Sequence, residues 1–480
     1  MSGTDTPERR ITGLASIGAL ISSGRREICG ASCSLFAIIA LLASGIAAAS
    51  GDVIRIGVLN DQSGPYAGVT GKGSVEAAKM AAEEFGGTVA GRKVEVIFAD
   101  HQNKPDIGAA IARHWYDEDG VDLIVDVVTS SVALAVQEVA RDRKKIVIFS
   151  GAGSDELTGR SCSPNGFVWS WDTYALSHSA GQSILKEGGR SWYLIAVNYA
   201  LGLAFENDLR RTLDEGGGTV VGVARHPLGT RDFSSYLLSA QASQSQVVAF
   251  LNGGADAQSA VKQAVEFGLL RPGGPRVVTM GLFLDDVHTL GTEVAQGLQI
   301  TESFYWDRDD ASRAWSRRFA DRMGGQMPSL IQAGTYSAVR HYLRAVTEAG
   351  TTEASAVLPA MRRLPVQDPT MSDGARIRED GRLMRDFYLF EVKAPSASRG
   401  PWDLYRLIRR IPAEEAALPL DRSACPLIPN PRDQNLCAQS LNPMDMISRA
   451  GLPACSRRGS SGQECWHRTG RCDLRANSAA

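Results

Sequence analysis

An excess of charge of either sign is the first thing the sequence lacks. Fifty-one Lys and Arg stand against 53 Asp and Glu, a net of −2. Nucleic-acid binders usually carry a basic excess, so the balance argues against that class and no nucleic-acid partner is expected. Fibrous classes are excluded too, since the chain has neither a Gly-x-y repeat nor a heptad repeat. Cysteine is scarce in the body of the chain: of eight, only Cys162 and Cys425 fall outside the first fifty and last fifty residues. Catalytic signatures are missing as well. There is no HExxH, no GxSxG, and no strand-linked GxGxxG with a following acid. The stretch GVTGKGS imitates a phosphate loop, but Gly73 separates Lys72 from Ser74, and Tyr66 stands where the first glycine should be. The seven histidines are scattered and read as structural. No enzyme activity, cofactor or metal is expected.

Long apolar runs number one. SLFAIIALLASGIAAA covers residues 34–49, follows Arg25 and Arg26, and ends in Ala47-Ala48-Ala49. Sixteen residues fall short of the ~20 that span a bilayer, and the small residues offer a cleavage site. Residues 1–49 are therefore read as an export signal, with a retained anchor as the alternative, and the mature chain is expected in the periplasm. In an oxidising compartment Cys162 and Cys425 could form one disulfide or remain two thiols. Residues 430–480 have no sustained periodicity. Their Cys437, Cys455, Cys465 and Cys472 lack a CxxC, so a zinc cluster is disfavoured and a disordered extension is expected.

What is abundant is alternation. Forty-nine glycines supply the turns of a strand–helix rhythm that runs from residue 53. IRIGVL, KVEVIFAD, VDLIVDVV and KIVIFSG read as strands between helical patterns. After VWSWDT a second series runs through SWYLIAV, TVVGVARHPL, SQVVAFLNGG and RVVTMGLF. Continuous Val/Ile/Leu runs imply parallel strands covered on both faces. Two such series of ~120 residues imply two doubly wound α/β lobes. Three helical patterns then lie between residues 301 and 386, and FYLFEV and WDLYRLI close the globular part as strands. The chain thus returns to each lobe. The expected limits are 52–173 with 305–386 for one lobe and 174–304 with 387–429 for the other.

In doubly wound sheets ligands lie at the carboxyl ends of the strands. The loops there carry Ser63 and Tyr66, then Thr129, Ser130 and Ser131, then Gly151, Gly153 and Ser154. Free amides and a positive helix dipole make a strand-to-helix junction of this kind an anion site. The second series offers Tyr199, Asp256 and Phe283, and Tyr174 follows the passage between lobes. Such a set suits a small zwitterion or an aromatic acid. Ser and Thr also cap helices generally, and Tyr199 and Phe283 could equally be core.

The motifs IRIGVLNDQSGPYAG, ADHQNKPDIGAAIARHW, VALAVQEVA, DTYALSHSAG, VNYALG, FSSYLLSAQAS and AQGLQITESFYWD resemble the substrate-binding proteins of ABC importers, in the branched-chain amino acid (type I periplasmic binding protein) family. The resemblance covers residues 53–429. It implies two Rossmann-like lobes joined by three crossovers, with the ligand in the cleft between them. It places carboxylate-binding segments on Thr129–Ser131 and Gly151–Ser154, first-loop contacts near Ser63 and Tyr66, and an aromatic on Tyr199. It also implies that Cys162 and Cys425 are bonded. The acid that holds an amino group has no certain counterpart: Asp256 is nearest, and Asn198 stands where Asp is expected. Whether the ligand carries an ammonium group stays open. The implied function is capture of an amino acid or an aromatic or aliphatic carboxylate by a monomer that docks on an ABC permease. An amide- or amino-acid-sensing regulator on the same fold is the alternative.

Overall fold

The computed structural model describes residues 53–429. The expected export signal (1–49) and the Cys-containing tail (430–480) lie outside them. Among the described residues no helix is long and apolar enough to cross a membrane.

The first β-branched runs build a six-stranded sheet. Its strands are β1 (Val53–Asn60), β2 (Thr88–Val89), β3 (Arg92–Asp100), β4 (Val121–Asp126), β5 (Ile146–Phe149) and β6 (Gly166–Val168). They are ordered β2-β3-β1-β4-β5-β6, parallel except for β2. The connecting helices are α1 (Gly71–Glu83), α2 (Pro105–Asp117) and α3 (Ser130–Asp142). Successive side chains point to opposite faces of a strand. Leu123, Val125 and Ile148 accordingly join one apolar cluster with Met80, while Ile124, Val147 and Phe149 join another with Trp115, Val132 and Val136.

The second lobe repeats the plan. Helix α4 (Thr173–Lys186) leads into β7 (Ser191–Val197), α5 (Ala200–Gly216), β8 (Thr219–His226), α6 (Ser234–Ala242), β9 (Val247–Gly253), α7 (Gly254–Glu266) and β10 (Arg276–Gly281). The order β10-β9-β7-β8 is wholly parallel. Then come α8 (Leu284–Leu290), α9 (Thr292–Ala295), β11 (Gln299–Glu302), and the three expected helices α10 (Asp310–Arg322), α11 (Leu330–Ala349) and α12 (Ala354–Arg363). Helix α11 packs Tyr336, Val339 and Leu343 into the first lobe's core. A two-stranded pair, β12 (Arg376–Ile377) and β13 (Leu383–Met384), precedes β14 (Phe387–Val392), β15 (Tyr405–Ile411) and α13 (Ala413–Ala416). Strands β11, β14 and β15 form an antiparallel sheet whose Tyr388, Phe390 and Tyr405 pack with Ile195 and Phe250 of the second lobe.

Two expectations need correction. Strands β3 and β8 are not covered on both faces, because β8 is an edge and β3 has only two-residue β2 outside it; Phe98 is 57% exposed. Strand β15 begins at Tyr405 rather than Trp402, because the Trp402 carbonyl accepts from Tyr305 Oη (3.2 Å) and Trp306 Nε1 (2.8 Å) instead of joining the ladder.

The chain passes between lobes at three places: after β6, after β11 and between β13 and β14. The first and third are clamped together. Asp172 caps α4 by accepting from the Ala175 amide (2.7 Å), and its other oxygen takes Arg382 Nε; each residue is 3% exposed. Beside this pair the Val168 amide donates to the Gly381 carbonyl (3.0 Å). Gly381 has φ +89°, and a Cβ there would stand 2.5 Å from the Gly166 carbonyl oxygen, so the close approach requires glycine.

A disulfide joins Cys162 to Cys425 with Cα atoms 5.5 Å apart across 263 residues of sequence. A cross-link closing so long a loop removes much of the unfolded chain's freedom, typically about 2–4 kcal/mol of stability. Reducing it, or replacing both cysteines by serine, is expected to lower the calorimetric melting temperature by several degrees. An unchanged midpoint with and without reductant would show that the bond contributes nothing.

Candidate functional site

The first loop is organised by one carboxylate. Asp61 accepts from the amides of Gly64 (2.6 Å) and Tyr66 (2.9 Å) and from Asn103 Nδ2 (2.9 Å). This fixes the turn that sends Tyr66 across to the second lobe, where its hydroxyl meets that of Tyr199 at 2.7 Å. Burial raises both phenols above their ordinary range, so both stay protonated at neutral pH. The Pro65 carbonyl accepts from the Ala255 amide of α7 (3.0 Å). The approach is close because residue 254 is glycine. Its φ is +59°, and a Cβ would lie 2.4 Å from the Pro65 oxygen.

Behind this seam the lobes leave a cavity of about 20 Å³. Tyr66, Val69, Val128 and Ile331 wall it from the first lobe, and Leu201, Gly253, Gly254, Gly281 and Phe283 from the second. Trp171, at the first crossing, forms the floor. Its Nε1 donates to the Gly151 carbonyl (3.1 Å), and its ring meets Phe283 edge-on at 5.5 Å. No charged side chain is among the walls. A solute the size of an amino acid exceeds this volume and would take the place of the contacts among these side chains.

The first-lobe end of the cavity is polar and strained. Asp126 (φ +83°) and Val127 (φ +50°), at the end of β4, occupy left-handed backbone that a β-branched residue rarely adopts. Each such position costs ~1–3 kcal/mol, and strain of this kind gathers at functional sites. It turns the chain so that Val128 faces the cavity and Thr129 starts α3. Thr129 makes no side-chain cap; its hydroxyl donates to Asn103 Oδ1. Ser130 is fully buried, and its hydroxyl has no hydrogen-bond partner. A buried polar group left this way is costly unless something meets it. Gly151 closes the corner: a Cβ there would fall 2.4 Å from Asp126 Oδ1 and 2.6 Å from Val128 Cα. Asp126 Oδ2 accepts from Asn60 (2.9 Å) and Thr70, while Oδ1 accepts from nothing. Burial pushes this carboxyl up to about 6 against the pull of those hydrogen bonds.

The structure gathers part of the expected set. Tyr66 and Phe283 line the cavity, Tyr199 holds Tyr66, and Thr129, Ser130 and Ser131 open α3 beside Val128. Gly153 packs under Trp171, where a Cβ would sit 2.5 Å from the ring. Ser154 is buried and caps the short turn Asp155–Leu157 by accepting from the Glu156 amide (3.4 Å). Asp256 is 1% exposed and takes the Gly229 amide on both oxygens (3.1 and 3.0 Å), with its carboxyl raised to about 6 by burial. Neither Ser154 nor Asp256 is among the cavity walls, and Ser63 and Tyr174 have other surroundings. Ser63 is on the surface and donates to Asp100 (2.7 Å). Tyr174 stacks on His178 at 5.0 Å and lines a different cavity with Arg211 and Arg422.

Sequence reading missed Trp171, Val128, Leu201 and Asp126. Trp171 had a signal, in VWSWDT at the passage between lobes. Asp126 had none, because an acid inside the apolar run VDLIVDVV gives no hint that its backbone is left-handed.

Comparison with known proteins agrees with this geometry. A family model described as periplasmic binding protein matches residues 53–400. The Leu/Ile/Val-binding protein homolog 6 of Brucella melitensis is 27% identical over 49% of this chain, and the match spans only 60% of that protein's length. A solved periplasmic binding protein from Burkholderia mallei is 42% identical, covers 78% of this chain and 99% of its own, and superposes with a TM-score of 0.76. A branched-chain amino acid ABC transporter periplasmic ligand-binding protein from Burkholderia xenovorans is 38% identical over 78% of this chain and all of its own (100%), with a TM-score of 0.70. With its two parallel-sheet lobes and apolar inter-lobe cavity, the chain belongs to the periplasmic binding protein family.

Proposed function

We propose that this protein is the solute-binding component of an ABC importer, taking a small carboxylate-bearing ligand into the inter-lobe cavity and presenting it to membrane permease subunits from the periplasm. One observation carries the reading: the buried, unpartnered Ser130 hydroxyl at the start of α3, two residues after Val128, which lines an apolar cavity walled by both lobes. The ligand's carboxylate meets Ser130 and the first amides of α3, where the helix dipole favours negative charge. Its apolar body replaces the contact among Tyr66, Trp171, Leu201 and Phe283. Those walls suit a branched aliphatic or aromatic body, so a branched-chain amino acid or an aromatic acid is the proposed class. The proposed lobe limits are 52–173 with 305–386, and 174–304 with 387–429.

Binding couples to closure because the walls come from both lobes. A shift from 1:99 to 99:1 in favour of the closed form takes ~5.5 kcal/mol of differential affinity. Two or three hydrogen bonds to a carboxylate, at about 1.5–3 kcal/mol each, together with apolar burial are enough. The solute leaves unchanged.

A thermal-shift screen of branched-chain amino acids and benzoates is expected to find a stabilising ligand. For that ligand, Ser130→Ala should weaken calorimetric affinity at least ~10-fold, the worth of one hydrogen bond to a charged group. Equal affinity removes the carboxylate assignment. Gly254→Ala places a methyl against Pro65 and should also weaken binding, by opposing closure rather than by touching the ligand. Small-angle scattering of the liganded variant should then show the open dimensions; wild-type compaction would contradict the steric argument.

The pH dependence has a definite sign. A bound carboxylate near Asp126 disfavours its charged form and raises its pKa above the about 6 of the free protein. Binding then takes up a proton, so affinity for an ionised acid should fall as pH rises from ~5 to ~8. Asp126→Asn should flatten that profile. A wild-type affinity constant across the range would refute the coupling.

A further inference from the structure

Thr129 stands where a side chain normally caps a helix. It is the residue before α3 and its backbone is extended, and a threonine so placed ordinarily accepts from the amide two or three residues on. Thr129 makes no such bond. Its hydroxyl is turned away from the helix and donates to Asn103 Oδ1. The first amides of a helix have no partner within it. What holds Thr129 therefore decides whether those of α3 are capped by their own chain or stay open.

Asn103 is itself held in place. Its amide donates to His101 Nδ1 (3.0 Å). Burial pushes the His101 pKa down to about 4, so at neutral pH the ring is neutral and can accept. Gln102 and Asn103 both have left-handed backbone, at φ +52° and +57°, a conformation in which asparagine is enriched and glycine is free. The side chain thereby reaches between two loops. Its Nδ2 donates to Asp61 Oδ2 (2.9 Å), the same oxygen that takes the Tyr66 amide (2.9 Å). Gly64 lies against this bridge: a Cβ there would stand 2.8 Å from Asn103 Nδ2. One neighbour needs a donor and the other an acceptor. A carboxamide presents both, where an apolar side chain presents neither.

We propose that Asn103 is a positioning residue of the carboxylate site: its side-chain amide keeps the Thr129 hydroxyl from capping α3 and ties that end of the site to Asp61 and the Tyr66 loop. The first amides of α3 and the Ser130 hydroxyl then stay open to a carboxylate. The inference rests on the reading of the α3 start as the carboxylate site. Asn103 is not among the walls of the inter-lobe cavity and acts through Thr129 and Asp61. Without it, Thr129 is free to take the amide of Ser131 or Val132, and a ligand's carboxylate competes with a cap that is already part of the chain.

Asn103→Gly removes the amide without a backbone cost, since glycine adopts the left-handed conformation freely. Hydrogen exchange of the ligand-free variant is expected to shift in opposite directions: slower at Ser131 and Val132, which Thr129 now caps, and faster at Gly64 and Tyr66, because Asp61 has lost its anchor. A residue that merely supports the fold would quicken exchange at both places. Benzoate and L-leucine, titrated calorimetrically, are the carboxylate probes. The affinity of a probe that the wild type binds should fall about fivefold in Asn103→Gly, the factor one threonine cap is typically worth. Adding Thr129→Val, which cannot cap, should recover most of that loss. Unchanged exchange at Ser131 and Val132, faster exchange at both places, or wild-type affinity in Asn103→Gly would each overturn the proposal. So would a double variant no better than the single one. Should neither probe bind the wild type, the carboxylate reading falls, and the exchange experiment alone decides whether Asn103 holds α3 open.

Discussion

The Asp172–Arg382 ion pair is the constraint on which the moving parts depend. Two charges 3% exposed are tolerable only because each has its partner; removing one from a buried pair typically costs about 3–5 kcal/mol. Here the pair also ties the first crossing to the third. Asp172 caps α4 on one side and grips Arg382 on the other. The pair and the Val168–Gly381 hydrogen bond thus hold two of the three connections side by side. The Cys162–Cys425 bond, near the same face, anchors the last described segment to the first lobe.

The lobes also meet at the first loop. There the lobes touch through Tyr66 and Tyr199 and through the Pro65 carbonyl and Ala255 amide. These contacts are few and neutral. A hydroxyl pair adds only about 0.5–1.5 kcal/mol net, so closure without a guest gains little. The strain at Asp126 and Val127 and the solitary Ser130 hydroxyl act in the same direction. Both are free-energy costs that the first lobe carries in this conformation.

Much of this was legible in the sequence, for a physical reason. Strand–helix alternation reports burial periodicity, and continuous runs such as VDLIVDVV can be satisfied only inside a doubly covered sheet. The failures came where periodicity carries no information. Strand β3 reads as apolar yet is only half covered, because sheet order decides coverage, and order is set by crossovers. Tyr66 and Phe283 line the inter-lobe cavity because loops at strand ends point into it. Tyr174, the second residue of α4, faces His178 and Arg211. Asp61, which orders the whole first loop, left no trace, since one acid among Asn, Gln and Ser looks like any turn residue.

A second cavity, of about 430 Å³, shares Val69 with the first and makes the first loop a partition between opposite chemistries. On one side aromatic and aliphatic walls hold no charge; on the other Asp285 lines a chamber without a basic residue. Nothing in core packing requires a carboxylate there. Burial holds the Asp285 carboxyl well above its ordinary range, so it stands there as a neutral acid rather than as an uncompensated charge.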